Sequence, residues 1–491
     1  MNNKKNFMTA LILQMATMIS GLILPRLIIS TFGSEINGLS SSITQFLSFI
    51  SLLEGGLGAV ILAELYKPIE ESNTEKIKQI LYVSQDFFKK LALIFIAYTI
   101  ILSCIYPLYI FKSYEFIFTF SLVWILSLTT LVQYLFSITN KLLLQACQKV
   151  YIVNLVMTGT VLLNLILAVA VMYIYPEIHI IKFISAIVYL IQPVLYSHFI
   201  EKQYSIRKYK IKQKKNTVLK NLWSGFTQNL AYFINMNTDI AVLTVFATMT
   251  DVSVYSVYML SIAALRAIII SVTNSYQSAL GKYYAEGKLS DLREKFYKFE
   301  SSFWILGIIL FSTCLVLINP FVQLYTTGVH DANYYRPIFA ILIVIANMIY
   351  CVREPYRLLI LAVGKFRETN FGSVAEAIIN ISISIALVSK LGLVGVAIGT
   401  LIAITYRLIY FIWFLKKDIL FIPYKRYTKL IITFAVVLSF NVWFYISHPV
   451  VIYSFVIFLI YGCIVLIIEA AVTVVIFKVM DRIQNKLIRS I

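Results

Sequence analysis

The stretch "KLLLQACQKVYIVNLVMTGTVLLNLILAVA", Lys141 to Ala170, is present a second time in altered form. A shift of 216 residues lays it without a gap over "RLLILAVGKFRETNFGSVAEAIINISISIA", Arg357 to Ala386, with seven of thirty positions identical. Leucines coincide by chance in so apolar a stretch. The identities, however, include Lys149 with Lys365, Asn154 with Asn370 and Asn164 with Asn380. The same shift sets "SEINGLSS" near "TDVSVYSV", Glu70 on Glu286, Phe87 on Phe303 and Tyr134 on Tyr350. A duplicated architecture follows.

Working outward, the rest of the chain has the same character. Its 491 residues are 60% hydrophobic and 13% charged, with a mean hydropathy of +0.84, far too apolar for a water-soluble fold. Apolar runs of at least ~18 residues, enough to cross ~30 Å of hydrocarbon, recur from end to end. They place spans near 7–31, 37–64, 81–110, 114–138, 151–175 and 178–200, then 221–248, 252–280, 297–326, 336–361, 371–388 and 391–415. A last pair lies near 428–446 and 450–478. The first span lacks a small-residue cleavage site and reads as an uncleaved helix. Five scattered cysteines have no metal-ligand or redox spacing.

Basic residues orient the spans. The segments on the side of the N-terminus hold 34 Lys or Arg, and the opposite loops hold four, Lys112, Lys182, Arg336 and Lys390. Both termini are therefore expected in the cytoplasm. Six spans per repeat, an even number, make the repeats parallel, with an expected seam between them. The organisation expected is an all-α polytopic membrane protein of about fourteen transmembrane helices. It comprises an N-terminal six-helix lobe (1–200), a basic cytoplasmic linker (201–220), a second six-helix lobe (221–427), and two additional helices with a cytoplasmic tail (428–491). The linker either lies on anionic headgroups or docks a cytoplasmic partner. The net charge of +19 is mostly this topological bias and calls for no nucleic acid.

Enzyme classes find little footing. The non-cytoplasmic loops are short, the four histidines are isolated from nucleophile partners, and "GKYYAEGK" lacks the spacing of a phosphate-binding loop. No catalytic residue, metal site or cofactor is expected; transport remains.

Four arginines, Arg26, Arg266, Arg353 and Arg407, fall inside spans. A charge at the bilayer centre costs about 2.5–3.5 kcal/mol on insertion scales, so it faces protein or a wet cavity. Arg266, in "SIAALRAIIISVTN", is 14 residues from either end of its expected span, about 21 Å by helical rise and too far to snorkel. Arg26 follows Pro25 in "GLILPRLIIS", where Pro25 and Gly21 predict a kink. It either reaches headgroups or lines a cavity. Arg353 opens "REPYR", where Pro355 is expected to break the helix, and Arg407 is expected to snorkel. Among the acids, Glu54, Asp239 and Glu376 are candidates either for ion pairing or for proton or cation coupling, with Glu354 and Glu469 also inside spans. Asp239 and Arg266 lie at depths about 8 Å apart on consecutive spans and could meet.

"FGSEINGLSSSITQFLSFISLLEGGLGAVI", "REPYRLLILAVGKFRETN" and "EAIINISISIALVSKLGLVGVAIGT" resemble the polysaccharide transporter branch of the multidrug/oligosaccharidyl-lipid/polysaccharide exporter superfamily, the O-antigen and capsule repeat-unit flippases. The resemblance covers essentially the whole chain. It implies a bacterial cytoplasmic-membrane protein that carries undecaprenyl-diphosphate-linked oligosaccharide outward by alternating access, in contact with membrane lipids and beside a glycan polymerase and glycosyltransferases. In the related lipid II flippases, arginines on the first and eighth spans engage the diphosphate; Arg26 and Arg266 fall on those spans, with Arg353 a third candidate. Gln14, Asn229, Asn235, Asn237, Asn274 and Gln277 could line the cavity or bond helix to helix. A cation-coupled multidrug exporter and a non-transporting scaffold for glycan assembly stay open as alternatives.

Overall fold

The structure, a computed structural model, describes residues 2–54, 57–110, 114–204, 237–274, 276–365, 368–420 and 425–489. The regular elements among these are all helices. This is what a chain in hydrocarbon requires, since each backbone N–H and C=O must find its partner within its own segment. The chain divides into two units, Met1–Leu230 and Ala231–Ile491.

The first unit contains α1 (Asn2–Phe32), α2 (Ser34–Ser48), α3 (Ser51–Glu54), α4 (Leu57–Glu70), α5 (Thr74–Ile110), α6 (Phe116–Val132), α7 (Ile138–Ala146), α8 (Val150–Ile174), α9 (Ile178–Tyr189) and α10 (Ile191–Tyr204). A π-helical turn, Gln133–Ser137, joins α6 to α7. The second contains α11 (Asn237–Phe246), α12 (Met249–Asn274), α13 (Gln277–Ala285), α14 (Leu289–Tyr325), α15 (Pro337–Ala362), α16 (Asn370–Leu391), α17 (Leu393–Leu415), α18 (Lys425–Ser447) and α19 (Phe455–Arg489). Among the described residues, thirteen helical segments are long and apolar enough to cross a membrane. The span expected at 221–248 is described only from 237 on, as α11, and most of the basic linker lies outside the described residues.

The duplication is visible in the backbone. At the end of α7 the Lys149 N–H reaches back to the Leu144 carbonyl (2.9 Å), with Gln148 at φ +57°. At the end of α15 the Lys365 N–H reaches the Ile360 carbonyl (3.1 Å), with Gly364 at φ +74°. Each is a Schellman cap, closing a helix through one left-handed residue. A second pair closes α4 and α13 through Ser72 (φ +53°) and Gly287 (φ +71°), with Asn73 bonding Pro68 and Lys288 bonding Tyr283. Here the offset is 215 rather than 216. Glu71, not Glu70, is thus the counterpart of Glu286, and buried Phe88, not Phe87, that of buried Phe303.

Within the first unit α1 packs on α8, where the Asn6 side chain accepts from the Tyr151 N–H (2.8 Å) and Asn154 donates to Thr9 (3.2 Å). An apolar cluster of Ile28, Ala168, Met172, Ile178 and Ile181 continues the contact. In the second unit α14 and α15 are the most enclosed helices. α18 and α19 lie against α14, with Trp304 edge-on to Phe434 and Phe321 beside Phe458.

Three expectations need correction. Pro355 does not break its helix: α15 runs through it, because Tyr350 to Tyr356 are all buried and their packing outweighs one lost backbone bond. The span expected at 252–280 ends at Asn274 and resumes as α13, which brings Arg266 within eight residues of a helix end, about 12 Å by rise. The expected second span is likewise interrupted, by a turn at Phe49 and Ile50 between α2 and α3.

Candidate functional site

Among the described residues, the largest group of buried charges is in the second unit, on α15, α16 and α17. Arg353 Nη1 meets Glu376 Oε1 at 2.6 Å, and Arg407 Nε stands 3.5 Å from Glu376 Oε2. Arg407 also donates to the Thr369 carbonyl (3.0 Å) and to the Ser373 hydroxyl. Arg407 is therefore 5% exposed and does not snorkel. Gly372 makes this posture accessible, since a Cβ there would collide with the Arg407 guanidinium and the Tyr410 ring. Next to Arg353, Glu354 bonds Arg357 one turn on (2.7 Å). Arg353 and Glu376 are thus both committed to an ion pair that joins α15 to α16.

Arg266, on α12, is placed differently. Its guanidinium carbon lies 4.0 Å from the centre of the Tyr350 ring, and Nη1 donates to Asn347 Oδ1 at 3.2 Å. Arg353 lies 4.6 Å from the same ring. Such cation–aromatic contacts are worth ~0.5–2 kcal/mol and leave the in-plane N–H groups able to donate elsewhere. Unlike Arg353 and Arg407, Arg266 is only half-buried.

Asp239 is buried at the start of α11. Its carboxylate accepts from Tyr255 Oη (2.9 Å) and from Thr400 Oγ1 (2.9 Å), while Asn380 donates to Thr400 (3.3 Å) and accepts from Ser384 (3.3 Å). Arg266 is near enough for its charge to act on this carboxylate. The result is a compact set of oxygen donors from four helices around one acid, the chemistry suited to a proton or a hard cation. Close contact of α16 and α17 builds it: Gly395 and Gly399 face α16, and a Cβ on Gly399 would come within 2.9 Å of the Ser384 backbone nitrogen. Among the described residues no three His, Cys, Asp or Glu side chains cluster as metal ligands.

In the first unit Glu54, at the end of α3, accepts from Tyr134 (3.4 Å) and feels the charge of Lys141. Arg26 is half-buried on the unbroken helix α1. Of the polar lining candidates, Gln14 and Gln277 are exposed, Asn237 is half-buried on α11, and Asn274 is the last residue of α12. Asn229 and Asn235 lie outside the described residues. Sequence reasoning passed over Tyr255, Asn347, Tyr350 and Thr400, which hold the charges. Two signals pointed that way: Tyr350 matches Tyr134 in the repeat, and Thr400 ends the quoted motif "GLVGVAIGT".

No family model matches the sequence, and no curated protein is a detectable relative of it. The fold is similar to that of the lipid II flippase MurJ in an inward closed conformation, with a TM-score of 0.65 over 98% of this chain and 100% of that one at 16% identity. It is also similar to the inward-facing conformation of a multidrug resistance MATE family transporter of the MOP superfamily: TM-score 0.59, 82% of this chain, 96% of that one, 16% identity. An outward-facing conformation of such a transporter matches with a TM-score of 0.51 over 85% and 96% at 15% identity. The chain thus has the fold of these polytopic, two-lobed membrane proteins.

Proposed function

We propose that this protein is a flippase that moves undecaprenyl-diphosphate-linked oligosaccharide from the inner to the outer leaflet of the bacterial cytoplasmic membrane, for surface polysaccharide assembly. The observation that carries this reading is the half-buried Arg266 guanidinium, steadied on its face by Tyr350 and on one edge by Asn347. A planar, permanently charged donor fork suits a diphosphate. A sugar headgroup stripped of water loses several kcal/mol per unpaired polar group, so its passage needs replacement partners. An inside-negative potential favours outward movement of the diphosphate by ~2.3 kcal/mol per charge per 100 mV. Arg26 is assigned a second contact with the headgroup, and Arg353 acts by placing the Tyr350 ring beside Arg266. Arg266 is exposed alternately to the two faces of the membrane, both termini are cytoplasmic as the basic-loop bias implies, and the lobes have the boundaries the sequence suggests. A glycan polymerase and glycosyltransferases would work beside it.

Arg266→Ala should abolish surface glycan with the protein level unchanged. Normal glycan in that variant removes the residue from the mechanism.

The Asp239 cluster favours a second reading, a cation-coupled exporter of drugs. Drug resistance on overexpression, with surface glycan intact after deletion, would select it.

A further inference from the structure

Glu469 stands apart from Glu354, Glu376 and Asp239 among the buried acids of the second unit; a fourth, Glu300 on α14, bonds the Tyr356 hydroxyl. Glu354 and Glu376 each hold an arginine, and Asp239 feels Arg266. Glu469, 5% exposed in the middle of α19, meets among the described residues only an amide, the Asn441 Nδ2 at 3.2 Å. On α19 the buried positions from 461 to 480 are Val465, Glu469 and Thr473, one stripe at four-residue spacing. A carboxyl therefore occupies the centre of the seam that holds α19 to its unit.

The facing helix carries a matching stripe. Lys429, Thr433, Val437, Asn441 and Tyr445 follow one another at four-residue intervals along α18. At one end Lys429 pairs with Asp481. At the other, Asn319 donates to Tyr445, whose ring helps line a small, partly open cavity of about 70 Å³, together with Gln323, Tyr335, Phe444 and His448. The Gln323 Oε1 is a buried acceptor without a hydrogen-bond partner among the described residues, which marks this cavity as a place for water. Tyr445 is one turn from Asn441, which touches Glu469. One turn beyond Glu469, the buried Thr473 hydroxyl is likewise without a partner.

The charges around Glu469 are sparse. On α18 the nearest titratable groups to Asn441 are Tyr445 and, about 18 Å away by rise, Lys429. On α19 they are Cys463 and Tyr461 on one side, Lys478 and Asp481 on the other. On α14, which packs antiparallel to α19 with Leu317 against Gly462, the titratable group near the level of Glu469 is the thiol Cys314. No cation of this set is in reach. An ionised carboxylate there is costly in a helix pair facing lipid, whereas the protonated acid is a tolerated hydrogen-bond partner.

We infer that Glu469 is a proton-carrying carboxyl, served by water from the cavity at the His448 end, whose gain or loss of a proton shifts how α18 and α19 pack and so couples a proton gradient to the transport proposed above. The step is a simple acid–base one: the carboxylate takes a proton from hydronium in the cavity and, in the other packing of α18 and α19, gives it up to water on the opposite side of the membrane. It rests on the transport reading for its purpose but not for its detection.

The test uses the full chain in liposomes of phosphatidylethanolamine and phosphatidylglycerol, as wild type, Glu469→Gln and Glu469→Asp. Glu469→Gln keeps the hydrogen bond to Asn441 and cannot ionise. Infrared difference spectra between about pH 5 and 9 should show a protonated-carboxyl band that Glu469→Gln lacks and Glu469→Asp retains in shifted form. With a fluorescent undecaprenyl-diphosphate-linked disaccharide as probe, an imposed pH gradient should change wild-type flipping by about tenfold and leave Glu469→Gln unaffected. A gradient response in Glu469→Gln equal to wild type, or no titrating band assignable to Glu469, overturns the inference and leaves the contact as helix adhesion. A wild type that titrates but flips no probe in either condition sinks the flippase reading instead.

Discussion

Gln192 donates to the Thr160 hydroxyl at 2.8 Å, tying α10 to α8 in the first unit. Adding 216 to Thr160 and 215 to Gln192 gives Glu376 and Arg407, which stand 3.5 Å apart between α16 and α17. The one-residue difference is the register change between the starts of α9 at Ile178 and α17 at Leu393. One inter-helix contact thus exists twice, neutral in one repeat and ionic in the other. The second repeat has concentrated its charge on α15 to α17, where Glu376 holds Arg353 as well.

Removing that shared acid should be the costliest change in the group. Glu376→Gln leaves two buried guanidiniums without a counter-charge, an expected loss of about 3–5 kcal/mol, read as a lowered melting temperature of the purified protein. Arg407→Gln copies the first repeat and leaves the 2.6 Å Arg353 pair intact, so it should cost much less. Equal losses would contradict this ranking.

The duplicated caps predict opposite signs at equivalent positions. Gly364→Ala forces a Cβ into left-handed backbone and should destabilise by about 1 kcal/mol. Gln148→Gly relieves that same strain and should stabilise by up to about 1 kcal/mol. Thermal unfolding of the two variants decides it.

Gly399→Ala should disturb both packing and the acid cluster. The added methyl meets the backbone of α16 at Ser384, and spreading α16 from α17 parts Asn380 from Thr400. A loss of about 1–3 kcal/mol is expected, with transport falling further than that loss of stability alone would explain. A variant as stable and active as wild type would show that the two helices can separate freely.

Tyr350 should matter through its ring and not its hydroxyl. Tyr350→Phe keeps the platform under Arg266 and Arg353, and surface glycan should stay near wild type. Tyr350→Ala removes contacts worth ~0.5–2 kcal/mol each and should cut glycan several-fold at equal protein level. Similar glycan levels in the two variants would exclude the platform role.

The all-helical membrane fold, the placing of most spans and the duplication were legible in the chain because they depend on local quantities: apolar length, turn residues, and polar identities such as Asn154 with Asn370 and Asn164 with Asn380. Even the misplaced register, Glu70 for Glu71, was off by a single residue. The fate of each arginine was not legible. Arg353 is sealed by an acid 23 positions later and Arg407 by one 31 positions earlier, while Arg266 rests on a ring 84 positions away. A charge in a span reads the same in sequence whether a neighbouring helix neutralises it or leaves it half-open. Only the packing of α12 and α15 to α17, with Gly395 and Gly399 letting α17 approach the α16 backbone and Gly372 leaving room for the Arg407 guanidinium, brings particular partners within hydrogen-bond reach, and the energy of a buried charge is decided at that distance.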